Sequence, residues 1–137
     1  MEVKNVCSKC GEVNIIDSAN LIREDVYDEF GTYYKLIYYK CKRCNEKIAL
    51  QIDSMKTLDM FRELKALTIK VAKKRMKHET VSPKDVKKKD KLMKKLRQER
   101  KDLEELCNGK KVFDSDKKVV MERLTFLKEG DIIDSNL

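Results

Sequence analysis

Four of the five cysteines fall into two Cys-x-x-Cys pairs, Cys7 with Cys10 and Cys41 with Cys44, and thirty residues separate the pairs. Three chemistries use such pairs. Disulfides suit secreted chains, but Met-Glu-Val-Lys is not the start of a signal peptide. A redox Cys-x-x-Cys normally stands alone at a helix start, and two matched copies argue against it. A tetrahedral site of four thiolates fits a reducing compartment, and a two-residue gap lets both sulfurs of one turn face a single ion. Gly11 follows Cys10 and Asn45 follows Cys44. These two residue types best tolerate the positive φ with which such a turn closes. Lys9, Lys40, Lys42 and Arg43 surround the sulfurs and offset the net −2 charge of Zn²⁺ in four thiolates. The expectation is one structural zinc per chain, held by Cys7, Cys10, Cys41 and Cys44. Four protein ligands leave no open position, so catalysis at this metal is not expected.

Other catalytic constellations are missing from the sequence. It contains no glycine-rich phosphate loop, no Gly-x-Ser-x-Gly and no His-Glu-x-x-His. His78 is the one histidine and reads as a polar surface residue at a helix end. Cys107, in the last turn of an expected helix, reads as a buried or half-buried thiol and not a nucleophile, with no histidine near it in sequence. The chain is therefore expected not to be an enzyme.

The cysteine pairs must be positioned by strands. Residues 33–40, Tyr-Tyr-Lys-Leu-Ile-Tyr-Tyr-Lys, run straight into Cys41 and are rich in β-formers. Residues 20–28 should pair with them across Glu29-Phe30-Gly31-Thr32, with Gly31 supplying the bend. Val13, Ile15 and Ile16 suggest a short strand, and Ile48, Leu50 and Ile52 alternate after the second knuckle. Cys-Ser-Lys-Cys-Gly and Cys-Lys-Arg-Cys-Asn, with strand-like residues between, resemble the zinc ribbon, in which two knuckles hold zinc at one end of a small antiparallel sheet. The resemblance covers residues 3–52. It implies metal and fold, while ribbons serve transcription factors, polymerase subunits, ribosomal proteins and adaptors alike. A ribbon followed by Lys-rich helices is also similar in layout to small bacteriophage proteins. Tyr33, Tyr34, Tyr38 and Tyr39 have two readings: rings covering a thin core, or a platform for single-stranded bases, to which Tyr34 and Tyr38 would belong.

Charge divides the chain of 137 residues, whose net charge is +8. Residues 1–55 hold eight Lys/Arg against nine Asp/Glu, net −1; residues 56–111 hold twenty against nine, net +11; residues 112–137 hold four against six, net −2. In the basic middle, Met55, Leu58, Phe61, Leu64, Leu67 and Val71 recur at helical spacing after a cap at Asp53 or Ser54. Ser82-Pro83-Lys84-Asp85 is a second helix start, and Asn108-Gly109 a stop. Helices over residues 55–79 and 83–107 should pair antiparallel along a narrow seam of Leu64, Leu67, Val71, Leu92, Leu96 and Leu103. Their joined end would concentrate Lys73, Lys74, Arg75, Lys77, Lys87, Lys88 and Lys89. Such a patch attracts phosphate backbones, or an acidic protein surface, without reading sequence. Ser115 could cap a third helix through Lys128, ended by Gly130, and the acidic tail after it is either disordered or adds a strand to a neighbour.

These readings combine into an α+β chain: a small antiparallel zinc ribbon (residues 1–53), a basic antiparallel helical hairpin (54–109), and a short C-terminal helix with an acidic tail (110–137). No apolar run approaches a membrane span, so the expected setting is cytoplasmic, with no membrane partner and a homodimer through the helices as one option. The expected function is a non-enzymatic regulator that associates with nucleic acid or the transcription machinery through the hairpin. The alternative is a phage-type protein-binding adaptor or inhibitor of a host complex.

Overall fold

The computed structural model describes residues 3–127 and 132–134. The fold is α+β, with strands β1 (Val3–Val6), β2 (Val13–Ile16), β3 (Ile22–Tyr27), β4 (Tyr33–Lys40) and β5 (Lys47–Asp53). Helices α1 (Met55–Met76) and α2 (Pro83–Cys107) follow, then strands β6 (Val112–Phe113), β7 (Val119–Met121) and β8 (Ile132–Asp134). Two compact units result. One joins the residues up to Ile52 with those from Glu104 on, and the other is Asp53–Leu103.

The first unit holds two sheets, in the orders β2-β1-β8 and β5-β4-β3-β6-β7. Its central hairpin is fixed by a carboxylate as well as by Gly31 (φ 81°). Asp28 Oδ1 accepts the backbone N–H groups of Phe30 and Thr32, each at 2.9 Å. That Asx-type turn sets the register in which Tyr27 faces Tyr33 and Ile22 faces Tyr38. Along β4 the side chains alternate, and Tyr34, Leu36 and Tyr38 fall on one face, all buried. Val26, Ala49, Ile52, Cys107, Val112, Val120, Met121 and Leu124 are also buried in this unit.

No third helix forms at Ser115. Asp114 Oδ1 instead accepts the N–H groups of Asp116 and Lys118, both at 2.9 Å, and Lys117 takes φ 63°. The turn sends Val119–Met121 back against Val112–Phe113. β-Branched Val119 and Val120 suit that strand better than a helix. The expected stop at Gly130 lies outside the described residues. Part of the acidic tail forms β8, antiparallel to β1.

In the second unit, Ser54 caps α1: its side chain accepts the Thr57 N–H while the Thr57 hydroxyl accepts the Ser54 N–H. α1 ends at Met76, short of residue 79, because His78 turns left-handed at φ 55°. The N–H of Glu79 reaches the Lys74 carbonyl at 2.9 Å, and that of His78 the Arg75 carbonyl at 3.2 Å. This is a Schellman cap with histidine where glycine is usual. The helices pair antiparallel, for Lys56 meets Glu99 (2.9 Å), Glu63 meets Lys88 (3.9 Å) and Lys70 meets Asp85 (3.4 Å). Of the expected seam, Val71 and Leu96 are buried, and Leu64, Leu67, Leu92 and Leu103 half-buried. Among the described residues no helix is long and apolar enough to cross a membrane.

Candidate metal centre

Each cysteine pair sits in the turn of a hairpin, Cys7 and Cys10 between β1 and β2, Cys41 and Cys44 between β4 and β5. The two turns are near copies. The N–H of Cys7 donates to the Glu12 carbonyl at 2.8 Å, and that of Cys41 to the Glu46 carbonyl at 2.8 Å. The N–H of Gly11 reaches the Cys7 carbonyl at 2.9 Å, and that of Asn45 the Cys41 carbonyl at 2.9 Å. Gly11 at φ 77° and Asn45 at φ 60° occupy the left-handed positions that their residue types suggested.

The four sulfurs lie within 4.8 Å of one another. Cys7 Sγ is 3.7 Å from Cys44 Sγ, and Cys10 Sγ is 3.5 Å from Cys41 Sγ. Four sulfurs about 2.3 Å from a central ion make a tetrahedron with edges of about 3.8 Å, so the cluster is arranged to bind one metal ion. The knuckles belong to different sheets, whereas a single small sheet was expected. One ion held by all four would therefore staple the β2-β1-β8 sheet to the five-stranded one.

Charge reinforces this junction reciprocally. Lys9 of the first knuckle pairs with Glu46 beyond the second at 3.2 Å, and Lys42 of the second with Glu12 beyond the first at 3.3 Å. Asn14, unmarked in the sequence reading, is the buried link. Its Nδ2 donates to Cys41 Sγ at 3.4 Å, and its Oδ1 accepts the Lys42 N–H at 3.0 Å. The signal for it was a polar residue within an otherwise apolar strand, Val13-Asn14-Ile15-Ile16. The Cys44 N–H above all, helped by Asn14 and the Arg43 N–H against the effect of burial, pulls the Cys41 thiol down to about 6. Cys10 moves the other way: the Glu12 N–H favours its thiolate, but burial and the three neighbouring sulfurs outweigh that and push it up to about 12. Cys41 thus ionises readily while Cys10 is held back, and a divalent cation at the centre would favour the thiolates.

The remaining sequence-marked residues are dispersed. Tyr34 and Tyr38 are each 4% exposed, so neither offers a ring face to a base, which corrects their assignment to a binding surface. They share the inward face with Leu36. Tyr34 donates to the sulfur of buried Cys107, and burial above all raises its pKa to about 12. The Tyr38 hydroxyl donates to Glu24 at 2.7 Å. Lys73, Arg75, Lys77, Lys87 and Lys88 are exposed near the α1–α2 junction, Lys74 and Lys89 half-buried. Lys74 pairs with Asp85 at 3.7 Å.

No protein-family model matches the chain, and neither does any curated protein or solved structure.

Proposed function

We propose that the ion is zinc, that the cysteine-bearing hairpins work as a zinc ribbon, and that the protein is a non-enzymatic regulator associating with nucleic acid or the transcription machinery through its helical hairpin. Four thiolates favour zinc over harder divalent cations, and a closed ligand set suits a structural role. The observation that carries the nucleic-acid reading is unneutralised charge on the hairpin. Segment 56–111 has a net charge of +11, and Lys73, Arg75, Lys77 and Lys87 are exposed with no ion pair among the described residues. Such a surface gains affinity by releasing counterions from phosphate backbones.

The second reading is a phage-type adaptor or inhibitor pressing on an acidic protein. It is favoured by apolar side chains on α1, where Ile69 is 44% and Met76 81% exposed, seven residues apart on one face. Elemental analysis should find one zinc per chain. A gel shift at ~150 mM salt then separates the functions. Retarded DNA or RNA at micromolar protein supports the first reading. No shift, with one nuclease-resistant protein partner recovered, replaces it with the second.

A further inference from the structure

Beyond the joined end of the hairpin, α2 carries a more coherent surface. Lys84, Lys87, Lys91, Lys94 and Lys95 are all exposed, and none is ion-paired among the described residues. At 3.6 residues per turn they occupy roughly 100° of arc and about 17 Å of axis. The opposite side of α2 faces the seam, with Val86, Leu92 and Met93 half-buried and Leu96 buried. Toward the C-terminus the stripe ends: Gln98 takes the next place and donates to Asp102 at 2.8 Å, with Glu105 beyond. The cations are therefore confined to three turns.

This arrangement opposes the helix that bears it. Lysines three and four apart repel, and cations near a helix N-terminus oppose its dipole. Only Asp85 offsets them in the first turn, and it is engaged by Lys70 and Lys74. The chemistry of the face is equally narrow. It holds no Arg or Asn to read base edges in a groove and no aromatic ring to stack an unpaired base. It also lacks the apolar centre of a protein interface and the apolar face of a membrane-adsorbing helix. Five point charges on a straight rod fit the regular backbone of a duplex, where phosphate contacts position without specifying.

We propose that this stripe of α2 is the docking surface for double-stranded nucleic acid, held by its phosphates without sequence preference. The inference rests on the nucleic-acid reading above and names the surface and the form of the ligand. About 17 Å of duplex axis carries about ten phosphates, so five contacts are accommodated. Lys74, Lys88 and Lys89 contribute less than the sequence suggests, since Lys74 meets Asp85, Lys88 meets Glu63 and Lys89 is half-buried.

The test is fluorescence anisotropy of the full-length, zinc-loaded protein with a random 20-base-pair duplex, the matching single strand, and vesicles containing phosphatidylserine. The logarithm of affinity should fall with the logarithm of salt at a slope of about −4 to −5. Changing the five lysines to glutamine should bring that slope near zero and weaken duplex binding at least a hundredfold. Circular dichroism should show unchanged or greater helix content. A second variant, Lys73→Gln with Arg75→Gln and Lys77→Gln, should lose less than tenfold. If wild-type protein binds duplex but the stripe variant binds as well, or the second variant loses as much, the surface is wrong while the nucleic-acid reading stands. Tighter binding to the single strand, or equal binding to vesicles, overturns the duplex assignment. Absence of binding to any nucleic acid overturns both readings.

Discussion

A single amide shows how far the metal centre depends on residues that never touch the ion. Asn14 bonds to Cys41 Sγ and to the backbone of Lys42, so it orients a ligand and fastens β2 to the other knuckle at once. Outer-shell partners of this kind commonly contribute ten- to a hundredfold in metal affinity. Asn14→Leu should weaken zinc binding by that range in a chelator competition while leaving one zinc per chain at saturation. An unchanged competition curve would reduce Asn14 to packing. Asp28 is the corresponding residue in the β3–β4 turn. Burial alone would raise its pKa, but the N–H groups of Thr32 and Phe30, with Lys110 at 3.5 Å, outweigh that and hold it below the usual carboxylate range. Its contribution is therefore complete above the unfolded value of about 3.9 and is lost as the pH falls through the lower folded one. Stability measured by denaturant titration should decline across that acid window, and Asp28→Asn should flatten the decline.

At the level of elements, legibility followed the strength of local signals. The knuckles, the β3–β4 hairpin and both helix starts were readable because Gly11, Asn45, Gly31, Ser54 and Ser82-Pro83 act on their immediate neighbours. The third helix expected from a cap at Ser115 and a stop at Gly130 does not form, because the Asp114 turn and two adjacent valines favour a hairpin. The tyrosines were misassigned for want of one step: Tyr34 and Tyr38 share the strand face of Leu36, which must be buried. Asn14 and Asp28 act across the fold or through turn geometry that composition does not display. Two substitutions examine the helices. Leu96, 3% exposed, is the buried seam residue of α2, and Leu96→Asp should cost several kcal/mol by burying an unpaired charge. A thermal melt with no shift would show that the seam does not hold the pair. His78→Gly should instead gain up to ~1 kcal/mol, because glycine adopts the left-handed cap without steric cost; destabilisation would show that the imidazole makes a contact the cap needs.

For the whole molecule, the order of the chain matters more than any single contact. The hairpin leaves the first unit after Ile52 and the chain re-enters it at Glu104, so the basic segment is an insertion. Its two ends are tied by Asp53 and Arg100 at 2.8 Å. A six-residue Gly/Ser linker spans about 13 Å, and replacing residues 54–103 with it should preserve zinc binding and strand content while abolishing association with nucleic acid. Loss of metal stoichiometry in that variant would show that the insertion supports the four-cysteine centre. The same connectivity has a consequence for synthesis. All four ligands have been made once Cys44 is added, but Val112, which begins the strand flanking β3, comes 68 residues later. At the usual 5–20 residues per second, roughly 3 to 14 s separate the two events on the ribosome. For that interval the nascent five-stranded sheet has an open edge at β3, and early metal capture would hold the half-built sheets together until the late strands arrive.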